Sequence, residues 1–187
     1  MSIRLPIEEA RKLLEAVMCG TGYSGEQAAI IVDHLIDSEL RGLTQGGLAR
    51  AISICERIKR FPAAPANAGG MRIEHETAVA ARIDGADQVG YLVARRATEL
   101  ALDKVRAHGL AMAGAHNTWY TGMLSYYAEM AVAQGYVVMI ASNASAWVAP
   151  HGATEGRFGT NPMCFGFPSH RHHITPVFVT GSVPERA

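Results

Sequence analysis

Cysteine is scarce in this 187-residue chain: Cys19, Cys55 and Cys164 stand far apart, with no Cys-x-x-Cys pair. That spacing argues against a disulfide framework or a zinc ribbon and suits a reducing cytoplasm. Charge of one sign is missing too, because 17 basic residues meet 17 acidic ones. A neutral balance leaves no electrostatic footprint for nucleic acid or anionic lipid. No apolar run approaches the roughly 20 residues of a membrane helix. Glu8 and Glu9 come before any apolar stretch, which argues against a signal peptide. The chain also has no Gly-x-Gly-x-x-Gly between strand and helix and no Gly-x-x-x-x-Gly-Lys-Ser/Thr. An ordinary dinucleotide fold and a P-loop are therefore unsupported. His170-Arg-His-His173 is the densest histidine cluster, but neighbours on an extended chain face opposite ways, so no metal is expected. What is present is 49% apolar and 18% charged residues, which marks a folded chain with a real core.

The first sixty residues read as helices. Pro6 opens the first, with Glu8 and Glu9 near its positive end and Leu13, Leu14 and Val17 on one stripe. Ser24 and Gln27 have capping-box spacing, and Ile30, Ile31, His34, Leu35 and Ser38 recur behind them at helical spacing up to Arg41-Gly42. A third helix is expected from Gly47 to Arg60, followed by a Pro/Ala/Gly linker that sets a domain boundary near residue 62. Residues 71–76 and 77–83 then read as paired strands closed by a turn at Asp84-Gly85. A helix follows from Gln88 to Ala107, ended by Gly109, then a short buried strand from Leu110 to Ala115. Leu124 to Gln134 reads as another helix, Tyr136 to Ala141 as another strand, and a long Gly/Pro-punctuated loop follows Asn143.

Three segments carry residues fit for chemistry. Leu40 to Arg50 is a glycine-rich break between helices in which Arg50 is either a carboxylate clamp or a solvated arginine beside a plain turn. His116 to Tyr127 joins a strand to a helix, and His116 and Tyr120 can both exchange protons; Trp119, Tyr120, Tyr126 and Tyr127 also suit a core or an interface. Ser142 to Pro162 crowds amides, hydroxyls and glycines, which serve either a ligand or turn geometry.

Taken together, these pieces resemble the malate/L-lactate dehydrogenase family of the second type, NAD(P)-dependent oxidoreductases without a Rossmann fold. The resemblance rests on the helix from Ser24 into Leu40-Arg-Gly42 and on Ile83-Asp-Gly-Ala-Asp-Gln-Val-Gly90 before a long helix. It rests further on the Asn117 to Tyr127 turn, and on Ser142-Asn143 leading to Val148-Ala-Pro150 and Phe158-Gly-Thr-Asn-Pro162. It implies an α/β chain leaning to α+β: an N-terminal helical domain over residues 1–62, then part of a cofactor domain over 63–187 with a mixed, mainly antiparallel sheet. It also implies NAD or NADP as cofactor, a 2-oxo or 2-hydroxy acid or cyclic imino acid as substrate, and a homodimer. The cofactor would be held by Asn143, Gly159, Thr160 and Asn161, with Asn161 before Pro162 equally suited to a structural turn.

The chain departs from that family at its proton donors. Where relatives carry Ser-His-Gly after Arg-Gly, this chain reads Thr44-Gln45-Gly46, and a glutamine transfers no proton near neutral pH. The arginine falls at Arg50, one residue later than expected, and Tyr120 stands where a second histidine is usual, with His116 four residues upstream. Catalysis is thus expected from Tyr120, Gln45 or His116, with Arg50 and Thr44 binding substrate. The part after Pro168 reads as a shortened end, keeping Pro176 to Ser182 as a strand. That would uncover Tyr136 to Ala141 and Met163 to Phe167. The competing expectation is an inactive fragment acting as a binding or subunit-interaction module.

Overall fold

The computed structural model describes residues 4–62, 70–169 and, as backbone, 177–180. The His170–His173 cluster, most of the linker and residues 181–187 lie outside the described residues. The chain forms two compact units, Met1–Met123 and Leu124–Ala187.

In the first unit, α1 spans Ile7–Gly20 with Pro6 at its N-cap. Its buried stripe is Ala10, Leu14 and Met18 rather than the expected stripe with Leu13 and Val17, both of which are exposed. The i, i+4, i+8 spacing explains this, because it keeps small and flexible side chains on one line against α2. Helix α2, Gly25–Leu40, begins with the expected capping box: Gln27 N–H donates to Ser24 Oγ (3.2 Å) and Ser24 N–H to Gln27 Oε1 (3.0 Å). Helix α3, Arg50–Arg60, starts three residues later than expected, because residues 44–49 are spent on tight turns.

Strands β1 (Arg72–Glu76) and β2 (Ala80–Val89) are antiparallel. The turn expected at Asp84-Gly85 is not there, since both residues lie inside β2. The strand instead bends through a bulge at Ala86 and Asp87, both at positive φ (51° and 55°). Asp84 holds that bend: its Oδ1 accepts from Ala86 N–H (2.9 Å) and Asn117 Nδ2 (2.9 Å), and Arg72 pairs with its other oxygen.

Helix α4, Gly90–His108, ends at Gly109 and returns the chain to β3, Met112–Trp119, which lies parallel to β2. The sheet is therefore mixed, in the order β1-β2-β3. Strand β3 is later and longer than expected and mostly exposed rather than buried, because α4 packs across the sheet and leaves the other face uncovered. Val89, Tyr91 and Leu92 join Leu14, Ile31, Leu35 and Ile54 in one core, so helices and sheet are a single unit. The division between compact units consequently falls after Met123 and not at the linker near residue 62.

The second unit packs α5 (Leu124–Val132) on an antiparallel sheet of β4 (Val138–Ala141), β5 (Met163–Gly166) and β6 (Val177–Thr180). Leu124, Ala128 and Cys164 form its core, with Val138 and Ile140 packed against them. Val137 and Met139 are exposed while Val138 and Ile140 turn inward, so the uncovering expected of this segment applies to alternate residues only. The three cysteines are free, and burial pushes the Cys164 thiol up. Three of the four strand pairings are antiparallel, matching the mixed, mainly antiparallel α/β expectation.

Candidate active site

A cavity of about 580 Å³ opens in the first unit. Ser38 near the end of α2, Leu43, Thr44 and Gln45 of the following loop, and Arg50 at the start of α3 form one wall. Tyr91 of α4 and the Tyr120-to-Met123 turn form the other.

The loop wall is fixed by a carboxylate. Glu39 Oε2 accepts the Leu48 N–H at 2.9 Å, bridging the end of α2 to the turn before α3. Gly47 is required beneath it, because a Cβ there would run into the Glu39 carboxylate. Nothing in the sequence pattern marked Glu39, whose partner is a backbone group nine residues away.

The aromatic wall is positioned through the β2 bulge. Trp119 Nε1 donates to the Asp87 carbonyl at 2.8 Å, and its ring meets Tyr120 edge-on at a centroid distance of 5.3 Å. Tyr120 sits at φ 54°, a left-handed conformation that turns it away from the strand direction. The Arg50 guanidinium lies over its ring, 4.8 Å from the centroid, in a cation–π contact. Arg50 pairs with no carboxylate among the described residues.

Behind the turn sits His34, fully buried on α2. Its Nε2 accepts the Met123 N–H at 2.9 Å, which assigns the ring proton to Nδ1 in the neutral form. Burial pulls its pKa down to about 4, with Arg41 adding to the fall and Asp33 opposing it. The His34 and Tyr91 rings are 4.7 Å apart. Tyr91 is held as a neutral phenol, pushed up to about 12 by burial, with Arg50 opposing the rise and Tyr120 adding to it. Gly122, at φ 77°, fits between them: a Cβ would meet Tyr91 Cε1 and lie 2.5 Å from His34 Nε2. His34, Ser38 and Tyr91 have the apolar periodicity of a core, which is why sequence reading left them out of the site.

Thr44, Gln45, Arg50 and Tyr120 thus line one cavity. His116 does not line the cavity. It stands exposed on β3, with Nε2 2.9 Å from Glu74 Oε2, and Arg82 Nε donates to the same oxygen at 3.0 Å. Those contacts hold the Glu74 carboxyl below its usual range, led by the His116 hydrogen bond. Of the aromatics, Tyr127 is a core residue and Trp119 is half-buried.

Asn143, Gly159, Thr160 and Asn161 belong to the second unit. Asn161, at φ 42°, accepts the Ala144 N–H on Oδ1 (3.3 Å), and Gly159 packs so closely on Ala144 that a Cβ would strike its carbonyl oxygen. Asn143 is exposed and Thr160 half-buried, and neither side chain makes a hydrogen bond among the described residues. No group of three or more His, Cys, Asp or Glu side chains is arranged for a metal among the described residues.

Residues 5–179 match the family model described as malate/L-lactate dehydrogenase. The chain is 31% identical over 180 residues to L-sulfolactate dehydrogenase of Methanothermobacter thermautotrophicus, covering 96% of this chain and 52% of that protein. It is 31% identical to malate/(S)-sulfolactate dehydrogenase of Methanothermus fervidus, covering 94% of this chain and 51% of that one. Malate dehydrogenase from Entamoeba histolytica has the same fold, with a TM-score of 0.89, 25% identity, and 98% of this chain against 51% of that chain covered. The chain spans about half the length of these relatives. A family match over residues 5–179, with 31% identity to a relative over 96% of the chain and the same fold, makes this chain a member of the malate/L-lactate dehydrogenase family.

Proposed function

We propose that the protein is an oxidoreductase that moves a hydride between a nicotinamide cofactor, NAD or NADP, and a small 2-oxo or 2-hydroxy acid or a cyclic imino acid. The observation that carries this reading is Arg50, a cation on the cavity wall that pairs with no carboxylate among the described residues and sits over the Tyr120 ring, 4.8 Å from its centroid. A guanidinium held over a ring by a cation–π contact keeps N–H donors for a carboxylate, the group every such substrate has. Thr44 and Gln45 add neutral hydrogen-bonding groups beside it. Of the two phenols on this wall, Tyr120 is the exposed one and is assigned the proton handed to a developing alkoxide or amine, whereas Tyr91 is buried; Gln45 orients and does not titrate.

The cofactor, when bound, supplies or accepts the hydride. The loop of the second unit suits it in part. The Asn143 amide and Thr160 hydroxyl are available to a carboxamide or ribose, whereas Asn161 and Gly159 are committed to folding the loop. We assign cofactor contact to Asn143 and Thr160, both in the second unit. A cytoplasmic homodimer completes the reading.

A second reading, an inactive binding module, draws on one observation: no histidine lines the cavity. One experiment separates the two. Reduced NAD and NADP are titrated into the purified chain by fluorescence, then their oxidation is followed with a panel of 2-oxo acids. Cofactor binding and turnover are expected. A cooperatively folded chain that binds neither cofactor would establish the module instead.

A further inference from the structure

The cavity wall is unusual in its charge and in one hydroxyl. Among the described residues Arg50 is the only formally charged one lining it, and the remaining polar groups are the neutral side chains of Ser38, Thr44, Gln45, Tyr91 and Tyr120. A substrate with one carboxylate finds its counterion there. A second carboxylate or a sulfonate would enter with none, and desolvating an unpaired anion is costly. Ser38 adds the second observation. It is 1% exposed, and its Oγ makes no hydrogen bond. A buried serine within a helix ordinarily donates to the carbonyl one turn back. This one does not, which leaves a donor and acceptor in the wall of a cavity, a arrangement that a ligand's polar atom would satisfy.

We propose that the cavity selects a monoanionic 2-oxo or 2-hydroxy acid whose side chain carries an uncharged hydrogen-bonding group, and that Ser38 receives that group. This deepens the reading above and rests on the Arg50 clamp. Uncharged and hydrogen-bonding excludes both extremes. A purely apolar side chain would leave the Ser38 hydroxyl unpaired, and an anionic one would meet no cation besides Arg50 among the described residues.

The test titrates the full chain calorimetrically with glycerate, lactate, malate and sulfolactate. Glycerate is expected to bind about tenfold or more tightly than malate and sulfolactate, and more tightly than lactate. Ser38→Ala should collapse the glycerate-to-lactate preference, with its thermal transition checked for cooperativity. Malate or sulfolactate binding as well as glycerate to the wild-type chain would overturn the charge selection, whatever the variant does. An equal loss for glycerate and lactate in Ser38→Ala would overturn the role of Ser38. Failure of the underlying clamp reads differently: Arg50→Ala would then leave every affinity unchanged, or no acid would bind at all.

Discussion

Tyr120 faces the cavity, and His34 supports the turn behind it through the Met123 N–H. If Tyr120 donates the proton, Tyr120→Phe should lower kcat by about 100-fold or more while changing KM little, since ring and stack survive. Gln45→His should bring no gain in rate, because the proton already has its source; a large gain would show that the donor had been lost at position 45. His34 makes a prediction about pH. Its pKa is about 4 in the fold against an ordinary 6.5, so the neutral ring favours folding. That stabilisation is complete above pH 6.5 and is lost as pH falls through 6.5 towards 4. The shift corresponds to ~3 kcal/mol. Urea unfolding at pH 7 and pH 4.5 should show the difference, and His34→Gln should flatten it. At this scale Arg50 and Tyr120 were legible from the glycine-rich break and the strand-to-helix turn that carry them, and Thr44 and Gln45 from the register of the family resemblance. His116 was misplaced by distance along a strand: four extended residues separate it from Tyr120 by roughly 13 Å.

The elements around the site depend on a few contacts that sequence periodicity does not register. Ser24 is the exception, legible as a capping box and present as one. Ser24→Ala should cost about 1 kcal/mol, read by thermal unfolding. Glu39 is the contrasting case, since a carboxylate on the last turn of a helix looks like solvated surface. Glu39→Ala frees the Leu48 N–H and loosens the loop that carries Thr44 and Gln45. It should weaken binding of a 2-hydroxy acid several-fold while costing about 1–2 kcal/mol of stability. The β2 bulge was misread as a turn for a similar reason. Asp84-Gly85 has turn composition, but the Asp84 carboxylate is used to bend a strand that continues to Val89. The parallel pairing of β2 with β3 follows from the helix between them, and strand-length patterning alone could not choose it.

For the first unit as a whole, the consequence of one shared core is cooperativity. The linker near residue 62 suggests that helices α1–α3 could fold and unfold on their own. The packing says otherwise: Val89, Tyr91 and Leu92, from the β2–α4 junction, lie in the same cluster as Leu14, Ile31, Leu35 and Ile54. A composition break marks where backbone leaves one element for another, whereas a folding boundary lies where apolar contacts stop, and here they continue across the linker. Ile54→Ala removes a fully buried side chain of α3 and should cost about 2–5 kcal/mol. If the core is shared, hydrogen exchange should show the most protected amides of α2 and of α4 losing protection together, by similar amounts. Loss confined to α1–α3, with α4 and β2 unchanged, would restore the boundary at the linker and make the cavity wall a contact between separately folding parts.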